Sequence, residues 1–134
     1  MPSQARQSRN PGRSRDTCAV ALTLVRDFRF EAAHTLPWHP GKCSRLHGHS
    51  YRLEVTVEGE MDERGVILDF ADIKRLVTTF VLDRVDHTDL NGVIDNPTAE
   101  RLVAQVGDWL DEAGLAWSAL RLWETADCSA RLTR

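Results

Sequence analysis

The order of predicted elements indicates an α+β fold built around an antiparallel sheet. Two segments with strand-like alternation come first, two segments with helical spacing follow, and two short strands end the chain. Strands that occur in local pairs favour antiparallel pairing, and helices grouped between two such pairs are typical of the α+β class.

Period-two alternation predicts the first pair of strands. In Leu22–His34, and again from His47 onward, apolar residues and histidines share one face while charged residues take the other. The shared face carries Phe28, Phe30, Ala32 and His34 in the first segment, and His47, His49, Tyr51, Leu53, Val55 and Val57 in the second. The second pair is expected at residues 117–125 and at Cys128–Thr133.

Two helices are predicted between the strand pairs. The first has Asp69 as its N-cap, and the second has Asn96 as N-cap, Pro97 at its first position and Gly114 as its stop. The apolar stripes are Phe70, Ile73, Val77 and Phe80 in the first helix, and Ala99, Val103, Val106 and Leu110 in the second. This spacing places each stripe on one helix face.

The chain divides into a basic tail, residues 1–20, and an acidic domain, residues 21–134. The tail carries four arginines, one aspartate and almost no apolar residue, so it cannot offset the entropy of ordering and is predicted to be disordered. The domain retains 13 basic and 19 acidic residues, a net charge of −6. Scattered arginines without aromatic residues do not indicate a nucleic-acid partner. Any substrate phosphate must therefore meet a local basic cluster.

Cysteine usage and hydropathy predict a cytoplasmic protein. Three cysteines at irregular spacing do not resemble a disulfide framework and fit a reducing compartment. The longest apolar run near the start falls well short of the roughly 20 residues that a membrane span requires. No signal-peptide pattern is visible, and no membrane partner is expected. A chain of 134 residues is expected to form one domain that benefits from oligomerisation.

Three of the five histidines are predicted to meet at one end of the apolar face. His47 and His49 share a strand face, and antiparallel pairing brings His34, at the end of the first strand, close to them. Gly48 leaves room for close backbone approach. Three neutral imidazoles form a tetrahedral Zn²⁺ site with one open position, which is typical of catalytic zinc.

Two other interpretations of these histidines stay open at this point. They can be hydrogen-bonded core or surface histidines, although an H-x-H pair with a third histidine on the same stripe favours a metal. A thiolate from Cys43 would instead complete a closed Cys-His₃ site of the structural type.

Four motifs occur in order along residues 25–134. They are Phe-Glu-Ala-Ala-His at residues 30–34, Cys-Ser-Arg-Leu-His-Gly-His at residues 43–49, Asp-His at residues 86–87 within the segment 82–91, and Trp-Glu-Thr at residues 123–125. Together they resemble the 6-pyruvoyltetrahydropterin synthase and 6-carboxytetrahydropterin synthase family. The C-x₃-H-G-H spacing resembles the carboxy branch, whereas the animal pyruvoyl enzymes look like C-x₅-H-G-H.

The resemblance implies a zinc-dependent lyase acting on a pterin triphosphate. The carboxy branch converts 7,8-dihydroneopterin triphosphate to 6-carboxytetrahydropterin, with release of acetaldehyde and triphosphate, in queuosine and 7-deazapurine biosynthesis. It also implies the tunnelling fold, a four-stranded antiparallel sheet with two helices on one face. Members of the family assemble as trimers or hexamers whose active sites lie between subunits.

The resemblance also assigns roles to individual residues. The implied Zn²⁺ ligands are His34, His47 and His49. Cys43 lies four residues before His47, so its thiol can reach the metal site and act as a general base. Asp86 and His87 form a second proton carrier. Because neighbouring residues point in different directions, these two are expected to pair only across a turn or through Cys43.

Substrate contacts are implied for three further residues. Glu124 ends an apolar row on its strand, where a charge is costly unless something binds it. By resemblance its carboxylate accepts the paired N–H donors of the pterin, with help from Thr125. Arg45, with Lys42, is the candidate contact for the triphosphate.

Other functions are compatible with the same residues. The fold can support 6-pyruvoyl synthesis or an aldolase-like cleavage, and a closed zinc site would make the protein non-catalytic. A generic zinc hydrolase is a further possibility, but it leaves Glu124 and the Asp86–His87 pair without a role.

Overall fold

A five-stranded sheet is the framework of residues 20–134, which are the residues that the computed structural model describes. Residues 1–19, and with them nearly all of the predicted disordered tail, lie outside the described residues. Within residues 20–134, no helix combines the length and apolar character that a membrane span requires.

The sheet is antiparallel except at one edge. Its strands are β1 (Leu22–His34), β2 (His47–Gly59), β3 (Thr88–Asp89), β4 (Ala119–Thr125) and β5 (Cys128–Thr133). The spatial order is β3-β1-β2-β4-β5, and only β3 pairs in parallel, with β1. The α+β class is confirmed.

The expectation of four strands was wrong by one short strand. β3 has two residues, which pair with Ala32 and Ala33 of β1. A strand this short shows no alternation, so the sequence pattern cannot reveal it. It is held in the sheet by the segment on either side rather than by its own apolar residues.

Pairing of β1 with β2 runs without interruption along both strands. The register begins with Leu22 opposite Gly59 and ends with His34 opposite His47. Phe30 lies opposite Tyr51, and their rings stack with centroids 4.8 Å apart. The predicted antiparallel pairing is confirmed, and it places His34 at the start of β2.

The first helical segment begins at its predicted cap. Asp69 accepts a hydrogen bond from the Ala71 N–H at 2.8 Å, and helix α1 covers Phe70–Val77. A π-helical turn, Thr78–Leu82, continues into the short helix α2, Asp83–Val85. This segment leads the chain directly to Asp86 and His87.

The start of helix α3, Ala99–Glu112, differs from the prediction. Its N-cap is Thr98, whose hydroxyl accepts a hydrogen bond from the Arg101 N–H at 3.1 Å. Asn96 was expected to be the cap, but it lies before the helix with φ +50° and uses its side chain elsewhere. The predicted stop is confirmed, since Gly114 adopts φ +80° just beyond the helix.

The core lies between the apolar sheet face and the helices. Both predicted helical stripes contribute to it, with Ile73, Val77, Val106 and Leu110 fully or almost fully buried. The opposite sheet face is polar. There Arg52 forms ion pairs with Asp27 and Glu54 at 3.5 and 2.9 Å.

Candidate metal centre and active site

The three histidines lie together where β1 ends and β2 begins. One nitrogen from each of His34, His47 and His49 falls within 4.8 Å of the other two. His34 is buried, while the other two are partly exposed. Antiparallel pairing and the two-residue strand period together produce this convergence.

Backbone carbonyls set the tautomers of two of the rings. The Nδ1–H of His34 donates to the Pro97 carbonyl at 2.8 Å, and the Nδ1–H of His47 donates to the Arg45 carbonyl at 2.7 Å. A carbonyl oxygen can only accept, so in a neutral ring each Nδ1 carries the proton. Each Nε2 is therefore free to bind a metal.

The free nitrogens have the geometry that a cation requires. The Nε2 atoms of His34 and His47 are 3.0 Å apart, and the buried Nε2 of His49 has no hydrogen-bond partner in the structure. Two bare lone pairs at this distance repel each other unless a cation or a proton lies between them. Tetrahedral zinc with imidazole ligands separates its nitrogens by roughly 3.3 Å. The donor set therefore fits the zinc that the resemblance implies.

The electrostatics also favour neutral imidazole at His49. Burial is the largest influence on the pKa of His49 and lowers it, and the neighbouring His34 and His47 lower it further. The carboxylate of Glu124 opposes this shift. A lowered pKa keeps the ring unprotonated at neutral pH, which is the form that binds a metal.

Glu124 lies at the histidine cluster. One of its carboxylate oxygens is 3.7 Å from the Nε2 of His34 and 3.9 Å from the Nε2 of His49. β4 pairs with β2, so the end of β4 reaches the same edge of the apolar face. The side chain is about one quarter exposed, with 26% of its surface accessible, so the carboxylate is open to a ligand.

Tyr51, which the sequence analysis placed on the apolar strand face without a functional role, is a buried polar residue at this site. It lies two residues beyond His49 on the same strand face, and its hydroxyl has no hydrogen-bond partner among the described residues. Burial is the main cause that raises the pKa of the hydroxyl, and the Glu124 carboxylate raises it further. Tyr51 therefore stays protonated and neutral next to the cluster.

Cys43 lies on the loop between β1 and β2. A 3₁₀ turn, Lys42–Ser44, places it just before the strand that carries His47. Its thiol is free and half-buried, and it is not part of the three-histidine cluster. The closed Cys-His₃ arrangement is therefore absent from the described residues.

Asp86 and His87 pair directly with each other across a turn. The Asp86 carboxylate is 3.0 Å from Nδ1 of His87, and this is possible because His87 adopts φ +60°. The same carboxylate accepts the backbone N–H of Glu31 at 2.9 Å. No intermediary such as Cys43 is needed for the contact.

Within the described residues, this pair forms no hydrogen bond or ion pair with the three histidines. His87 is 77% exposed and lines an open depression with Glu31, Ser50 and one of the three histidines, His49. Glu31 and Ser50 bond to each other on the polar face of the sheet, whereas the histidine cluster belongs to the apolar face. The described chain thus brings His87 to a depression that reaches His49, but it does not bond the Asp86–His87 pair to the cluster.

The remaining predicted contacts occupy different places. Thr125 donates to Asp127 at 3.0 Å and lines a depression with Trp123 on the polar face, away from Glu124. The side chain of Arg45 is exposed, and its backbone carbonyl accepts the hydrogen bond from the Nδ1–H of His47. Lys42 is also exposed.

Comparison with known proteins decides the family. The family model described as 6-pyruvoyl tetrahydropterin synthase matches residues 23–134. The chain belongs to the 6-pyruvoyl tetrahydropterin synthase family. Its members are pterin synthase enzymes, and the match covers every helix, every candidate site residue and all of the strands except Leu22, the first residue of β1.

Relatives within the 6-pyruvoyl tetrahydropterin synthase family carry different reaction names. A 6-carboxy-5,6,7,8-tetrahydropterin synthase of Synechocystis sp. is 37% identical over 116 residues, covering 81% of this chain and 90% of that protein. A dihydroneopterin monophosphate aldolase of Pyrococcus furiosus is 35% identical over 98 residues, covering 71% and 82%. The 6-pyruvoyl tetrahydropterin synthase structure of Caenorhabditis elegans has a TM-score of 0.76 at 25% identity, covering 86% of this chain and 96% of that one.

The family's motifs do not reveal every group at this site. The Pro97 and Arg45 carbonyls orient two histidines, yet a backbone carbonyl has no residue-type signature. Tyr51 could have been found from the sequence, since it continues the face of His47 and His49 at the same two-residue spacing.

Proposed function

We propose that this protein is a zinc-dependent 6-carboxy-5,6,7,8-tetrahydropterin synthase. The observation that carries the proposal is the convergence of three imidazole nitrogens, two of them 3.0 Å apart, next to the Glu124 carboxylate. The name of the Synechocystis relative and the C-x₃-H-G-H spacing support the carboxy branch. We place the reaction in the cytoplasm and in queuosine or 7-deazapurine biosynthesis.

The proposed reaction needs a polarised diol and a mobile proton. The substrate, 7,8-dihydroneopterin triphosphate, yields 6-carboxytetrahydropterin, acetaldehyde and triphosphate. When bound, zinc supplies Lewis-acid polarisation of the substrate's side-chain hydroxyl groups. His34, His47 and His49 would hold the ion through Nε2, and the carbonyls that bind their Nδ1 protons keep two of the rings oriented.

Cys43 is the proposed general base. Its free thiol lies on the turn that leads into the His47 strand but outside the metal cluster, so it remains available for proton transfer. The thiolate would remove a proton from the substrate side chain.

Asp86 and His87 are the proposed second proton carrier. The Asp86 carboxylate, 3.0 Å from Nδ1 of His87, holds the ring in place. Because no hydrogen bond or ion pair joins this pair to the histidines within the described residues of one chain, we propose that a second copy of the chain supplies it. The active site would then lie between subunits of a trimer or hexamer with the tunnelling fold.

Glu124 is the proposed pterin anchor. Its partly exposed carboxylate can accept the adjacent ring and amino N–H donors of the pterin as a pair. In this position it would hold the side chain of the substrate next to the three imidazoles. Thr125 and Arg45 are secondary proposals, since neither side chain bonds to the cluster.

Product analysis tests the proposed function. Zinc-loaded protein is incubated with 7,8-dihydroneopterin triphosphate, and products are identified by mass spectrometry. We expect acetaldehyde together with 6-carboxytetrahydropterin. A 6-pyruvoyl product would instead assign 6-pyruvoyltetrahydropterin synthase activity. Absence of any turnover by the zinc-loaded protein would contradict the proposal that it is an enzyme acting on this substrate.

An aldolase is the second candidate, because the Pyrococcus furiosus relative bears that name. The same three imidazoles and proton carriers can serve carbon–carbon cleavage. The distinguishing product is a pterin that keeps a hydroxymethyl group, formed without reduction of the ring. The assay above detects it by mass.

Glu124→Gln is expected to raise KM by about 10–100-fold with a smaller effect on kcat. The amide keeps the shape but replaces one acceptor oxygen by a donor, and a hydrogen bond to a charged group contributes about 1.5–3 kcal/mol. Steady-state kinetics measures the change, with the exposed Glu60→Gln as matched control. Loss of zinc from Glu124→Gln, together with loss of turnover, would instead make Glu124 a metal ligand.

A further inference from the structure

The loop at residues 35–46 is attached to the rest of the domain by two asparagine side chains. It connects β1 to β2 and carries Cys43. Asn91 and Asn96, both from the segment between β3 and α3, bond to its first part. These contacts join the strand that holds His34 to the turn that holds Cys43.

Asn91 binds the base of the loop through both ends of its amide. Its Oδ1 accepts the Thr35 N–H at 2.8 Å, and its Nδ2 donates to the Thr35 carbonyl at 3.0 Å. Thr35 directly follows His34. The next residue, Leu36, donates its N–H to the carbonyl of Cys43 at 2.9 Å. Two residues, Thr35 and Leu36, and the hydrogen bonds that each of them makes thus connect Asn91 to Cys43.

Asn96 binds the middle of the loop through its oxygen alone. The indole Nε1–H of Trp38 donates to Oδ1 of Asn96 at 2.7 Å, although Trp38 is 60% exposed. Asn96 adopts φ +50° immediately before Pro97, where the left-handed region is disfavoured for most residues. The carbonyl of the next residue, Pro97, accepts the hydrogen bond from the Nδ1–H of His34. One strained residue therefore connects the loop to the histidine cluster.

We propose that Asn91 and Asn96 are positioning residues that hold Cys43 in register with the three histidines. Asn91 fixes where the loop leaves β1, and Asn96 fixes Trp38 while its backbone presents the Pro97 carbonyl to His34. Neither residue touches the reacting atoms. The role of Cys43 rests on the proposed function, whereas the attachment of the loop does not.

The same substitution, asparagine to aspartate, tests this inference at both sites, because it should disturb the loop at residue 91 and leave it unchanged at residue 96. Asn91→Asp removes the donor to the Thr35 carbonyl and places a charge against it. Asn96→Asp keeps the acceptor that Trp38 uses and the tolerance of asparagine and aspartate for positive φ. Trp38→Phe removes the indole N–H while keeping an aromatic ring, and because Trp38 is 60% exposed the smaller ring leaves no cavity in the core.

Amide hydrogen exchange by mass spectrometry on the zinc-loaded protein is the primary measurement. We expect residues 35–46 to exchange about fivefold faster in Asn91→Asp and Trp38→Phe, which is the effect of losing one ordinary hydrogen bond. Asn96→Asp is expected to match the parent protein, and the core helix α3 is expected to be unchanged in all three. Parent-like exchange of the loop in both Asn91→Asp and Trp38→Phe would overturn the inference.

Steady-state kinetics provides a second measurement, because a residue with a purely structural role would not lower kcat while leaving KM and zinc content unchanged. Asn91→Asp is expected to lower kcat about tenfold with KM and zinc content unchanged, because misplacing a catalytic group costs rate rather than binding. Equal decreases in kcat in Asn91→Asp and Asn96→Asp would contradict the inference that Asn91 uses both ends of its amide whereas Asn96 uses only its oxygen. If the parent protein shows no pterin turnover, the proposed function fails, while hydrogen exchange still decides the attachment of the loop.

Discussion

Replacing Cys43 by alanine is expected to lower kcat by about 10²–10⁴-fold, the usual contribution of a general acid–base group, while zinc remains bound. The thiol is free and lies outside the three-histidine cluster, so its loss should not affect the metal. The measurement is product formation together with metal content by atomic absorption. KM is expected to change little, because the proposed anchor of the pterin ring is Glu124 and not Cys43.

The chain offers a matched control for this substitution. Cys128 is also a free thiol, but it is exposed at the start of β5. Cys128→Ala is expected to retain full activity. If Cys43→Ala loses zinc as well as activity, the thiol is a ligand and the site is of the structural type.

Replacing His47 by alanine is expected to remove both zinc and turnover. Its Nε2 lies 3.0 Å from that of His34, so two nitrogens alone would remain to hold the ion. Substituting a residue that only orients a metal ligand commonly lowers the metal affinity by about 10–100-fold. Because His47 is itself a proposed ligand, we expect its replacement to lower the zinc affinity by at least about 100-fold. Competition with a chelator measures the affinity, and turnover is followed in the same samples.

A second readout and a control make the His47 result interpretable. Metal binding to the folded state alone raises its stability, so zinc should raise the Tm of the parent protein and not that of His47→Ala. His39 lies outside the cluster, and its Nδ1 accepts the Gly41 N–H within the loop. His39→Ala is expected to keep its zinc. Full zinc affinity in His47→Ala would place the metal elsewhere.

The long elements were predictable because their patterns extend over many residues. Alternation over the 13 residues each of β1 and β2 defines two faces, and pairing them antiparallel leaves His34 opposite His47. Asp69 and Gly114 have residue types that suit helix ends. Short features were not predictable in this way. β3 has two residues, and Asn96 resembles a cap, although Thr98 takes that place.

The candidate site was predictable in its residue types but not in its supporting contacts. His47 and His49 share a face because of their spacing, and this needs no tertiary information. The approach of Glu124 to the histidines depends on the register of β4 against β2, which the sequence does not encode locally. The position of Asp86 and His87 beside Glu31 likewise depends on the path of the chain after α2.

X-ray absorption at the zinc edge tests most directly whether the three histidines form a catalytic zinc site. The account predicts only nitrogen and oxygen ligands, at about 2.0–2.1 Å, with three imidazoles and one exchangeable oxygen. The spectrum of Cys43→Ala should be the same as that of the parent protein. A sulfur ligand at about 2.3 Å that disappears in Cys43→Ala would contradict the account and assign a closed, structural site.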